Sequence, residues 1–158
     1  MRARTLYRRR VTGVHTVSGR ARAALEAIAL GSVAITTRAL AAVAVDLTFA
    51  QWRVLVIVGE GAEGATVTEV ARRLGSEISP VSRLVGRLAR RGLVETHKDT
   101  LDRRVTRVMP TSTGRSIRDT VLAHRRELLT AVLVTIGPLD PIVEAALERI
   151  GAGLSSFT

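Results

Sequence analysis

Apolar residues between positions 66 and 92 fall into two short helical repeats with a glycine between them. In the first, Val70, Ala71 and Leu74 share one face of a helix over 66–74, and Thr66 and Glu69 have the spacing of a capping box. Gly75 can take the left-handed conformation that stops it. In the second, Val81, Leu84, Val85 and Leu88 form a stripe for burial, which leaves Ser79, Pro80, Ser82, Arg83 and Arg87 opposite or beside it. This helix is predicted to begin within Ser76–Ser79. Either Ser79 caps it with Pro80 at the first position, or Ser76 caps it one turn earlier. After Gly92 the period changes to two: Leu93–Lys98 alternates as a strand, Asp99–Arg104 turns, and Val105–Met109 returns until Pro110. The pattern is a helix-turn-helix followed by a two-stranded β-wing tipped by Asp102, Arg103 and Arg104.

The flanks read as longer helices. Residues 19–45 are Ala-rich and apolar nearly all round, with Leu25, Ile28, Ser32, Ile35, Ala39 and Ala42 along one side. Thr48 and Gln51 make a second capping box, opening a helix that buries Trp52, Leu55, Val56 and Val58; Gly59–Gly64 is then a flexible loop. A helix over 113–135 carries a stripe from Ile117 to Ile136, Gly137-Pro138 breaks it, and Asp140 with Pro141 opens the last helix. So much apolar surface outside a small winged helix needs cover from a second subunit. The expected fold is therefore mainly α. It comprises a basic flexible arm (1–18), an N-terminal dimerisation helix (19–46), the winged helix-turn-helix (47–112) and C-terminal dimerisation helices (113–158).

Charge sharpens this division. The net charge of +10 splits as +6 over residues 1–46, +4 over 47–110 and zero over 111–158. Positive charge on the front two-thirds suits a polyanion, and neutral C-terminal helices suit a protein partner. The arm carries Arg2, Arg4, Arg8, Arg9 and Arg10 without an acid, as a tail or as an extra phosphate contact. With Ala27–Thr37 and Ala39-Leu40-Ala41 it also loosely resembles a secretion signal, but uncharged runs of eleven and seven residues, split by Arg38, are too short to span a membrane. Without cysteine the chain has no disulfide, thiolate metal site or thiol redox sensor, and His15, His97 and His124 lack ligand spacing. No catalytic constellation, phosphate loop or cofactor motif is legible, which argues against an enzyme.

Several runs together resemble the MarR family of bacterial transcription regulators. They are Leu47-Thr48-Phe49-Ala50-Gln51-Trp52-Arg53-Val54-Leu55, Leu74-Gly75, Val81-Ser82-Arg83-Leu84-Val85, Arg91-Gly92-Leu93-Val94 and Asp102-Arg103-Arg104, with Thr111 and Gly114 downstream. Pro110 departs from the family, which usually has an aliphatic residue there. The resemblance implies a cytoplasmic homodimeric regulator, more often a repressor, on a pseudo-palindromic operator in double-stranded DNA. Ser79, Pro80 and Ser82 would lie at base edges, Arg83 and Arg87 would take guanine or phosphate, and Thr66 and Thr68 would add phosphate contacts. On the wing, Lys98, Asp102, Arg103 and Arg104 complete the DNA set, with Arg104 favoured for the minor groove and held by Asp102. The resemblance also implies a small aromatic or phenolic effector between arms and reading heads, for which Ile28 and Trp52 are the candidate contacts. Four aromatic residues, Tyr7, Phe49, Trp52 and Phe157, supply a stacking cage thinly. An effector-independent or architectural DNA-binding protein, and a winged helix used for protein docking, remain alternatives; no membrane partner is expected.

Overall fold

The computed structural model describes residues 18–99 and 102–155, so the basic arm, Ser18 apart, lies outside it. The chain divides into two compact units, 1–34 and 35–158. Helix α1 (Gly19–Ala41) begins in the first and ends in the second, which contains α2 (Phe49–Val58), β1 (Ala65–Thr66), α3 (Val67–Leu74), α4 (Ile78–Arg90), β2 (Val94–Lys98), β3 (Thr106–Pro110), α5 (Ser112–Ile136) and α6 (Pro141–Ser155). The architecture is mainly helical with a small antiparallel sheet, a winged helix.

The predicted first helix stops four residues early, at Ala41 rather than Val45. Val43 and Val45 pack against the core, and the chain leaves the helix to bring them there. By length and composition α1 is apolar enough to cross a membrane, with mean hydropathy 1.4 over an 18-residue window; counting uncharged runs had missed this because such a window admits a charge or two.

Both capping boxes form. Thr48 Oγ1 accepts from the Gln51 N–H while Gln51 Oε1 accepts from the Thr48 N–H, and Thr66 with Glu69 repeats the arrangement at α3. In α2 the buried side is wider than the predicted stripe: Val54 and Ile57 are buried and Val56 only partly. Gly75 takes the left-handed conformation, φ 62° and ψ 33°, and its N–H together with that of Ser76 closes α3 on Arg72 and Ala71.

Helix α4 begins inside the expected Ser76–Ser79 window, at Ile78, but on neither serine cap. Ser76 belongs to the stop of α3, Glu77 is the cap residue of α4 without a side-chain cap bond, and Ser79 and Pro80 are already helical. Pro80 is tolerated in a first turn, whose N–H groups lack helical partners. Val81, Leu84, Val85 and Leu88 are buried as predicted, each contributing about 1.5–3 kcal/mol of apolar burial.

The sheet has three strands in the order β1-β3-β2, not two. Ala65 and Thr66 pair with Val108 and Arg107, while Val94 to Lys98 pair with Pro110 to Thr106. Pro110 therefore continues the strand to its last pair, facing only β2, because β1 stops at Val108. Leu93 and Val105 lie outside the strands. At the exit Thr111 caps α5 through the Gly114 N–H and donates to the Gly92 carbonyl, tying α5 to the turn after α4. A side chain at Gly114 would meet the Leu93 carbonyl oxygen, so this crossing requires glycine.

Candidate nucleic-acid interface

The proposed reading residues lie on one side of α4, on the wing and, for Thr66 and Thr68, at the start of α3, all in the second unit. Ser79, Pro80, Ser82, Arg83 and Arg87 are exposed on α4, as are Lys98, Asp102, Arg103 and Arg104 on the wing. Arg83 Nη1 donates to Ser79 Oγ at 3.2 Å, one turn back along the helix. Lys98 Nζ donates to Thr106 Oγ1 across the wing at 3.2 Å.

Two aspartates shape the wing turn. Asp102 accepts from the Arg104 backbone N–H at 2.9 Å, so it holds the turn at the main chain and leaves the Arg104 guanidinium uncommitted among the described residues. Asp99 accepts from Arg107 Nε at 2.6 Å, which raises the Arg107 pKa further above its ordinary value. Asp99 and Arg107 thus clamp the strands where the wing turn begins, while Arg103 and Arg104 project from its end.

Three arginines of the head are paired with carboxylates among the described residues. Arg73 is paired with Glu60, Arg107 with Asp99 and Glu63, and Arg118 with Asp119. Arg118 also donates to the Gly59 carbonyl, and Arg53, which has no carboxylate pair among the described residues, donates to the Arg73 carbonyl. The loop after α2, expected to be flexible, is therefore held at Gly59 by α5 and at Glu60 by α3. Among the described residues, Arg83, Arg87, Arg103 and Arg104 have no carboxylate partner.

Residues 45–105 match the model of the MarR family. The chain carries a MarR-type winged helix. No curated protein matches the sequence. Among solved structures, RV1404 from Mycobacterium tuberculosis is 27% identical, with a TM-score of 0.73, and the match covers 84% of this chain and 90% of that one. A MarR-family transcriptional regulator from Rhodococcus sp. RHA1 is 25% identical with a TM-score of 0.65, over 85% and 91% of the two chains. CouR from Rhodococcus jostii RHA1, solved with p-coumaroyl-CoA bound, is 26% identical with a TM-score of 0.66, over 85% and 90%.

Within this MarR-type head the candidate residues distribute unevenly. Thr66, Thr68, Ser82 and Arg104 meet at a cleft of about 280 Å³, together with Ile78 and Thr106, which sequence reasoning did not select. Ile78 escaped because it falls inside the stretch read as a cap, and Thr106 because strand alternation marked it only as wing scaffold. The Thr66 hydroxyl is already engaged in capping Glu69. Pro80 and Arg87 border a separate groove of about 490 Å³, floored by Phe49, Leu74, Val81 and Leu84. The two effector candidates are not neighbours in one unit: Ile28 is exposed on α1 in the first, and Trp52 is 4% exposed in the core of the second. Trp52 Nε1 is buried without a hydrogen-bond partner.

Proposed function

We propose that the chain is a cytoplasmic DNA-binding transcription regulator, acting as a repressor, that grips a pseudo-palindromic operator as a homodimer. The observation that carries this reading is the sorting of the arginines. Arg73, Arg107 and Arg118 are matched to carboxylates and Arg53 and Arg115 are engaged on backbone carbonyls, whereas Arg83 and Arg87 on α4 and Arg103 and Arg104 at the wing tip are exposed and have no carboxylate partner among the described residues. Unmatched guanidinium groups repel one another, and phosphate or guanine supplies the missing acceptor. Two such helices roughly 34 Å apart would enter successive major grooves, and Arg104 would enter the flanking minor groove.

The second copy is supported by the apolar surface of the long helices. Val132, Leu133, Ile136, Ile142 and Leu147 are all exposed on α5 and α6. CouR was solved with p-coumaroyl-CoA, a thioester with a phenolic acyl group, and likeness to it supports an effector that carries a phenolic ring. A ligand that favours one spacing of the two heads would change operator affinity.

Fluorescence anisotropy of the protein on its own upstream DNA and on a shuffled duplex, at two salt concentrations, tests the reading. A preference of about a thousandfold or more is expected of a specific reader. Equal binding that collapses equally with salt would leave only a phosphate grip. A thermal-shift screen with phenolic acids tests the effector separately, since a ligand of the native state raises Tm.

A further inference from the structure

Ile78 is the first residue of α4 and is 53% exposed, the one large apolar side chain that this helix leaves uncovered. It lines the cleft with Thr68, Ser82 and Arg104, so it stands among the polar and cationic groups of the reading surface. Ser82 lies one turn behind it, at the (i, i+4) spacing that places two side chains on the same side of a helix. Glu77, the preceding cap residue, makes no side-chain cap bond. The chain's own packing, with Val67 and Val105 lining the same cleft, leaves about half of this β-branched side chain uncovered. Among the base edges of the major groove, the apolar feature available to it is the C5-methyl group of thymine.

Resting on the DNA reading above, we infer that Ile78 is a specificity-determining residue that packs on a pyrimidine C5-methyl group at the leading end of the recognition helix. Thymine supplies that methyl in unmodified DNA, and 5-methylcytosine carries the same group. On α4 the contact adds an aliphatic side chain to a surface whose other reading groups are the Ser79 and Ser82 hydroxyls, the Pro80 ring and the Arg83 and Arg87 guanidinium groups.

The test begins by selecting duplexes from a random pool with the full-length protein. Each thymine of the selected half-site is then replaced in turn by deoxyuridine, which keeps the base pair and lacks the methyl. At one position wild type is expected to lose about fourfold in affinity per half-site, the worth of one buried methyl. Ile78→Ala should bind the unmodified duplex correspondingly less well and become indifferent to deoxyuridine there, while Ile78→Val keeps the sensitivity. Placing cytosine or 5-methylcytosine at that position separates the methyl from the base pair, and the methylated duplex should bind wild type more tightly. Tolerance of deoxyuridine at every thymine by wild type, or undiminished sensitivity in Ile78→Ala, overturns the inference while leaving DNA reading intact. Failure to enrich any duplex overturns DNA reading itself, and this inference with it.

Discussion

Helices α4 and α6 have similar lengths and similar apolar content, yet α4 buries four residues in thirteen and α6 buries none in fifteen. The stripe of α4 meets α2, α3 and β2 and becomes core, whereas Ile142, Val143 and Leu147 of α6 remain exposed. An amphipathic period records that a face needs cover. It does not record which surface supplies the cover, and for α6 we assign that role to a second copy.

Four experiments break or sharpen this contrast. Leu88 is fully buried, so Leu88→Ala should lower the stability of the head by about 2–5 kcal/mol in denaturant unfolding. Leu147→Glu should do the reverse: the head keeps its unfolding midpoint, but sedimentation should show dissociation, because a carboxylate in an apolar interface has no counter-charge. Unchanged association would show that α6 faces no partner. Arg83→Ala and Arg104→Ala should leave folding and association intact and each weaken operator binding by about 1–3 kcal/mol if they touch bases. Wild-type binding by both would discredit the assigned reading surface.

The smallest effect concerns the capping box of α3. Hydrogen bonds from the Thr66 backbone N–H, and then from its hydroxyl, hold the Glu69 carboxyl below its ordinary pKa. A folded pKa below the unfolded one gives stability that is complete above the unfolded value and is lost as pH falls through the folded value. Thr66→Ala should cost about 1 kcal/mol at neutral pH. Glu69→Gln keeps an acceptor in the box and should flatten the acid limb of the stability profile, as measured by urea unfolding across pH.

What was legible in the sequence was local. Both capping boxes, the glycine stop and the α4 stripe depend on residues within a few positions of one another, and all appear in the structure. β1 was not legible, because two residues carry no period and their pairing is set by Val108 and Arg107, some forty positions away. The serine caps on α4 failed because the helix starts at Ile78, one residue after a Ser76 cap and two before a Ser79 cap would start it, which leaves Glu77 at the cap position. At the interface, the exposed positions on α4 and the wing followed from periodicity. The pairing that separates Arg73 and Arg107 from the reading arginines joins residues 13 and 8 positions apart, beyond one helical turn, whereas Arg118 pairs with its neighbour Asp119.

Helix α5 has the makings of a lever. Its 25 residues, at about 1.5 Å each, make a rod about 37 Å long. Thr111 is stitched to Gly92 at one end, Arg118 is pinned to the Gly59 carbonyl two turns on, and the far end carries the uncovered apolar residues. A tilt of about 5° about the pinned end displaces the free end by about 3 Å over such a length. A shift of about 3 Å where a second copy would meet the free end would thus reach the reading head as a rotation of only about 5°.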